Sequence, residues 1–386
     1  MAMDDDQTVD RVQALVIYAI VLHAQHQPTA ADQCISRAAL VATNVGMQYP
    51  SFAQRQSLPS AVNIESARRI WWELYSIDVY FAALHHRPRH LISSGNLYPL
   101  LPCSQAQYEA GYCDAMPSTI PMLDGRVFNM NPGVEFSSYC YRIEAARIID
   151  RILALAATDE ATPDDVQAID NALVSWKYNL PSSRSDAVSL AGEVDQMLFQ
   201  AHCLIACAAI FLHFPRSDLP ATVPTAADIT CAKEYQQLTP TSAQHTTKAI
   251  AASKELSNLA AVPYPMERHS PLFACALILG CIVQLAAAST CLREGGNKCL
   301  QHHWDRLNLM ISTLKFLGER WKVAQIAAQR LMPVAKVMFA AQAGSTSAAY
   351  IGSADDSGSS TGYEFNDMSW FDLLEPEILS YSVLNV

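Results

Sequence analysis

The chain lacks closely spaced cysteines, a cluster of basic residues, and positive charge of any kind at its C-terminal end. There are 11 cysteines in 386 residues but no Cys-x-x-Cys. Zinc fingers and zinc clusters need closely spaced thiolate pairs, so no zinc site is expected from these cysteines. The opening Met-Ala-Met-Asp-Asp-Asp is the reverse of a secretory signal's basic and apolar start, so reduced, buried cysteines are the expectation. The net charge is -11, and no run of Lys and Arg interrupts it, which argues against a surface that neutralises nucleic-acid phosphates. Gly-x-Gly-x-x-Gly and phosphate-loop patterns are missing too. With only 14 glycines, 16% charged residues and 51% hydrophobic ones, the chain reads as long helices that are largely buried.

What is present is helical periodicity. Val9, Val12, Leu15, Val16, Ala19, Ile20 and Leu22 put a helix at 8–27, and a second is expected at 30–45 with Gly46 as its C-terminal cap. Residues 93–130 are rich in Pro, Gly, Ser and Tyr and read as an extended loop. Asn131-Pro132 and Thr162-Pro163 each pair a capping residue with proline at the first helical position, so helices should begin there. Others are expected at 187–213, 226–238, 241–261, 270–293, 299–319 and 321–341. The apolar run Pro271 to Cys291 approaches membrane-spanning length, but Gln284 in its middle and its many Ala and Cys residues point to a buried central helix and no membrane. The histidines His23 and His26, His85, His86 and His90, and His302 and His303 lack partners at ligand spacing and are expected at the surface or at helix ends.

The segment Ala67 to Pro88, Ala-Arg-Arg-Ile-Trp-Trp-Glu-Leu-Tyr-Ser-Ile-Asp-Val-Tyr-Phe-Ala-Ala-Leu-His-His-Arg-Pro, is the richest in information. Ile64, Ala67, Trp71, Leu74, Ile77, Phe81 and Leu84 form one apolar stripe on a helix. Asn63 is placed to cap it, Glu65 lies four residues before Arg69 in the favourable ion-pair orientation, and Pro88 ends it. Trp71 and Trp72 point about 100° apart, so both are buried only if helices pack on two sides. Asp78 then falls close to the core and needs a cation, with Arg68, Arg69 or Arg87 nearest.

Those residues, Arg68, Arg69, Trp71, Trp72, Tyr75, Asp78, Arg87 and Pro88, resemble the signature helix of the regulatory, or middle homology, domain of fungal zinc-cluster transcription factors. The resemblance continues in order through Val-Gln-Ala-Leu at 12–15, Ala-Leu-Val-Ala followed by Gly46-Met47, His269-Ser270-Pro271-Leu272-Phe273, and Leu314 to Ala324. It spans roughly residues 8 to 340. It implies an all-α, multi-helix regulatory domain, here 1–342 and N-terminally incomplete relative to the family, in which the signature residues are structural. A full-length member would carry a six-cysteine zinc cluster, and this sequence contains none, so zinc and direct DNA binding are not expected of it.

The tail, 343–386, has a different composition. After Lys336 no Lys, Arg or His occurs, while seven acids do, leaving 30 acidic against 26 basic residues in the body. Residues 343–362, rich in Gly, Ser and Asp, read as a disordered linker. Beyond it, Phe365, Met368, Trp370, Phe371, Leu373 and Leu374 alternate with acids, the composition of an activation segment that folds on a coactivator. The expectation is therefore a non-enzymatic, nuclear transcription regulator whose partners are coactivators or other regulators, with a cytoplasmic location as the alternative. A small-molecule effector and a homodimer are left open, since no motif identifies either. Two rival readings are a helical interaction scaffold outside transcription and an all-α isoprenoid-type enzyme. The only aspartate box for such an enzyme, Asp164-Asp165 with Asp170, is off register by one position and sits at a helix start, where acids serve the dipole.

Overall fold

A computed structural model describes residues 8–52, 60–87, 91–92, 100–113, 118–126, 136–158, 161–181, 187–188, 192–219, 238, 241–294 and 297–349, with backbone only at 294, 297–298 and 340–349. Among these residues the fold is all-α, and the only strand-like pairing is an isolated antiparallel bridge between Val188 and Val194. The chain divides into two compact units, 1–340 and 341–386.

Local chemistry sets the helix ends. Helix α1 (Val9–Ala24) starts where the Thr8 hydroxyl accepts the Arg11 N–H at 3.2 Å. Helix α2 (Pro28–Val45) stops at Gly46, whose φ of 89° is the left-handed value that glycine adopts without penalty. Helix α3 (Ala61–Leu84) is the signature helix. Its cap is Ser60 rather than Asn63, because Ser60 Oγ accepts the Asn63 N–H at 3.2 Å and the helix is already formed at Asn63. The stretch expected to be an extended loop holds two short helices, α4 (Gln105–Glu109) and α5 (Ile120–Gly125). A reciprocal capping box between Ser104 and Gln107 starts α4, and Thr119 caps α5.

Helix α6 (Ser138–Ala156) begins at Ser138, and the Asn131-Pro132 start lies outside the described residues. Helix α7 (Pro163–Tyr178) begins at the Thr162-Pro163 device as expected, with Asp165 completing a capping box. Helix α8 (Gln196–His213) starts nine residues later than expected. The Asp195 carboxylate takes the N–H groups of Met197 and Leu198 at 3.1 and 3.0 Å, and the Val188–Val194 bridge holds the preceding segment away from helix. Helices α9 (Ala243–Ala260), α10 (Leu272–Glu294) and α11 (Asn297–Gly318) follow within a few residues of their expected positions, and α12 (Lys322–Ala349) starts where expected but runs eight residues past its expected end at 341. The 226–238 helix falls on undescribed residues apart from Leu238.

The helices pack as a layered array. The α1–α2 pair lies on α3, α3 on α6, α6 on α8, and α8 on α9 and α10, with α11 against α10. Trp304 of α11 stacks on Phe339 of α12 at 4.3 Å between ring centroids. Packing on several sides explains why every residue of α3 from Trp71 to Leu84 except Glu73 is buried. Two helical stretches, 196–216 and 272–293, are long and apolar enough to cross a membrane, and both lie mostly buried within the fold. In α10 the polar Gln284 is fully buried but satisfied: its amide donates to Ser253 Oγ at 2.5 Å and its carbonyl pairs with His303 Nδ1 at 2.6 Å. Gly280 lets α10 approach its neighbours, since a Cβ there would sit 2.8 Å from Met310 Sδ and 3.4 Å from Leu256.

Candidate functional site

The first polar node of α3 is built around Glu65, which is fully buried. Its Oε1 accepts from Arg69 Nε at 3.0 Å and from the Cys103 N–H at 2.9 Å, and Arg68 Nη1 donates to Oε2. Arg69 extends the node by donating to Gln105 Oε1 at 2.7 Å and to the carbonyls of Cys103 and Ser104 at 3.2 and 3.3 Å. Its guanidinium also lies over the rings of Tyr108 and Tyr139, 4.0 and 4.7 Å from their centroids. Burial opposes the Arg69 charge, but Glu65 and Tyr139 outweigh it and its pKa is raised. Burial and the Glu65 carboxylate push the Cys103 thiol up to about 12, so it stays protonated and unreactive. One Arg of the pair thus clamps α3 to the 100–109 segment, and the Glu65–Arg69 ion pair expected from their spacing forms with its carboxylate fully buried.

The second node is Asp78, also fully buried. Of the three candidate cations it takes Arg87, whose Nη2 donates to Oδ1 at 3.0 Å, while Oδ2 accepts the N–H groups of Leu91 and Ile92 at 2.6 and 3.0 Å. Arg87 Nε is 3.3 Å from Asp32 Oδ1, close enough for an ion pair but outside hydrogen-bond geometry. Trp72 Nε1 donates to the Leu100 carbonyl at 3.1 Å, and the Tyr75 hydroxyl donates to Asp150 at 3.1 Å. Trp71 and Trp72 are both buried, as the two-sided packing required. Pro88 lies outside the described residues, and so do Phe365, Met368, Trp370, Phe371, Leu373 and Leu374.

These nodes border a hollow. A cleft of about 1140 Å³, its open mouth included, runs between α1, α3, α4 and α8 and is lined by Gln13, Arg69, Glu73, Tyr108, Tyr139 and Gln200. Gln200 and Ser270 also line a narrower pocket, about 470 Å³ with its open mouth included, between α3, α6, α8 and the start of α10. Arg142 stands at this inner pocket and is bound through both terminal nitrogens to Glu73. Burial opposes its charge, Glu73 outweighs burial, and its pKa is raised.

Several histidines depart from the surface positions expected of them. His23 and His85 are buried, because α1 turns His23 towards α10 and the end of α3 sets His85 against His23 and α2. His23 Nε2 contacts Cys275 Sγ at 3.0 Å, His23 Nδ1 pairs with His85 Nε2 at 3.1 Å, and His85 Nδ1 meets Asp32 at 2.9 Å. His303 is buried against Gln284. His213 pairs with Asp170 at 3.1 Å, and Lys248 binds the same carboxylate. Asp170 therefore serves an internal ion pair and Asp165 a helix cap, which leaves neither free for a magnesium box. Among the described residues no group of three or more His, Cys, Asp or Glu side chains is arranged to hold a metal ion. Sequence reading missed Glu65 as a core residue and missed the inner pocket. The one local signal for Glu65 was its position beside the apolar Ile64 and Ala67.

Residues 3–178 match the family model described as the fungal specific transcription factor domain. The chain is also 29% identical over 330 residues to the C6 finger domain transcription factor iacK of Pestalotiopsis fici. That alignment covers 85% of this chain and 48% of the relative, so the chain spans about half the relative's length. No solved structure matches it. The Arg-Arg-Ile-Trp-Trp helix with its Glu65 and Asp78 nodes lies inside the matched region, so residues 3–178 are similar to the fungal specific transcription factor domain over the segment that carries both nodes.

Proposed function

We propose that this chain is the regulatory and effector region of a transcription regulator that acts in the nucleus through protein contacts, with an acidic activation segment near its C-terminus. The observation that carries this reading is the family match over residues 3–178, together with the way the signature residues are used. Arg68, Arg69, Asp78 and Arg87 are consumed in internal ion pairs and hydrogen bonds that join α3 to neighbouring segments, so the matched region works as a scaffold. Its partners are coactivators that accept the alternating acids and aromatics of 364–375 in an apolar groove. DNA contact is not the task of this sequence, since it carries no six-cysteine cluster.

The test is a fusion of residues 343–386 to an unrelated DNA-binding domain upstream of a reporter. Activation is expected, and Trp370→Ala with Phe371→Ala should abolish it. A silent fusion would overturn the activation role. The purified chain is expected to show no specific DNA binding at physiological salt, and affinity in the nanomolar range typical of specific binders would contradict the reading.

A further inference from the structure

We propose that the inner pocket between α3, α6, α8 and the start of α10 binds a small, neutral, planar organic molecule bearing carbonyl or hydroxyl oxygens, as an effector of the regulatory region. The proposal rests on the reading of this body as a regulatory region and adds to it a site and a ligand class. Its first support is a set of buried polar atoms that the protein leaves unmatched. His269 is only 5% exposed, and neither of its ring nitrogens has a hydrogen-bond partner. The side-chain amide nitrogen of Gln196 and Nε of Arg142 are buried and unpartnered in the same way, and all three residues line this pocket. Buried donors and acceptors are nearly always paired in native proteins, because leaving one dry forfeits its hydration. Three at one cavity mark a place where a ligand supplies the missing partners.

The walls set the shape. Phe199 of α8 and Phe273 of α10 meet edge to face at 5.1 Å, and the His269 ring packs on them at 4.7 and 4.9 Å. This cluster of rings, with Ile77 and Leu204 completing the wall, favours a flat and mainly apolar guest that lies against it. About 470 Å³ of space between atoms, the open mouth included, lies within these walls. The wider cleft, joined to it at Gln200 and Ser270, provides the way in.

The charges set the polarity. Arg142 is the pocket's cation, and Glu73 already neutralises it through two hydrogen bonds, so no unbalanced positive charge is left to offset the desolvation of an anionic guest. Gln196 and Arg142 Nε offer N–H donors, which call for oxygen acceptors on the ligand. Burial lowers the His269 pKa, leaving a neutral imidazole with one donor and one acceptor, suited to a hydroxyl or a carbonyl.

The experiment uses the purified full chain and three probes: 4-hydroxyacetophenone, its oxygen-free analogue 4-ethyltoluene, and the anion 4-hydroxybenzoate. Calorimetry and ligand-observed NMR should find 4-hydroxyacetophenone bound at roughly millimolar strength, as befits a ten-atom fragment. 4-Ethyltoluene, which lacks both oxygens, should bind at least fivefold more weakly, the loss expected for even one missing hydrogen bond, and 4-hydroxybenzoate should bind more weakly or not at all because its carboxylate must be desolvated. His269→Phe keeps the ring and removes its nitrogens, and should weaken binding by a similar factor. Leu204→Trp fills the pocket and should abolish binding, with far-UV circular dichroism confirming the fold; if that variant does not fold, Gln196→Leu takes its place. The proposal is overturned if 4-hydroxyacetophenone does not bind, if 4-ethyltoluene binds equally well, if 4-hydroxybenzoate binds more tightly, or if His269→Phe changes nothing. Binding is read without promoter or coactivator, so its failure is separate from a silent reporter fusion.

Discussion

Replacing Asp78 with leucine should cost this domain about 3–5 kcal/mol, the range for removing one partner of a buried ion pair. The carboxylate is fully enclosed and accepts three hydrogen bonds, from Arg87 Nη2 at 3.0 Å and from the Leu91 and Ile92 N–H groups at 2.6 and 3.0 Å. Each hydrogen bond to a charged group is worth about 1.5–3 kcal/mol, so the gross loss is larger. Part of it is recovered because the Arg87 side chain is 19% exposed and already lies 3.3 Å from Asp32, to which it can turn. Unfolding entropy of about 2.1 cal/mol/K per residue gives roughly 0.7 kcal/mol/K for a unit of this size, so the melting temperature should fall by about 6 °C. Asp78→Asn keeps the shape but sets an amide among donors, and should lose about half as much. The double variant Asp78→Leu with Arg87→Leu should be less destabilised than the sum of the single variants by about 1–3 kcal/mol, since the arginine is no longer left without its carboxylate. Calorimetric and urea unfolding of the parent, Asp78→Leu, Asp78→Asn, Arg87→Leu and the double variant measure this. A loss below about 1 kcal/mol for Asp78→Leu, or strict additivity in the double variant, would refute the argument that this carboxylate organises the end of α3.

The remaining predictions concern other parts of the fold. Arg69→Lys should destabilise by about 2 kcal/mol, because an ammonium cannot reach Glu65, Gln105 and two carbonyls while lying flat on Tyr108 and Tyr139; a urea midpoint unchanged from the parent would count against the clamp. Gly280→Ala should cost about 1–3 kcal/mol by pressing a methyl against Met310, and Met310→Val should restore part of it; a neutral Gly280→Ala would show that α10 and α11 are less closely apposed. Burial depresses the pKa of His213 and of His303 to about 4 from the ordinary 6.5, so each is neutral in the folded chain while the unfolded chain gains a proton. Their contribution to stability is present above pH 6.5 and is lost as pH falls towards about 4, on the order of 2 kcal/mol each. The melting temperature should drop through that window, and His303→Gln should flatten the drop; an unaltered slope in the variant would exclude His303 as a cause.

Much of the fold was legible because its signals are local. Thr8, Gly46 and Thr162-Pro163 mark helix ends through bonds to backbone groups at most a few residues away, and the sequence states them directly. The 93–130 stretch was misread for the same reason in reverse, since helices of five and six residues never complete an apolar period and are started by capping alone. At α8 the apolar pattern runs on upstream, but Asp195 captures the first free N–H groups and fixes the start.

The sequence by itself determined the all-α class, the order of the main helices, the two-sided packing that burying both tryptophans requires, the need of Asp78 for a cation, and the family resemblance of the Arg-Arg-Ile-Trp-Trp helix. Tertiary structure alone decided that Asp78 takes Arg87, that Glu65 is fully buried with Cys103 donating to it from 38 residues away, and that His23 meets Cys275 across 252 residues. It also decided that Gln196, Arg142 and His269 converge on one pocket. The division has a physical cause. Helix periodicity and capping depend on neighbours within a turn, whereas the partner of a buried charge or amide is whichever group the packing of distant helices brings within about 3 Å.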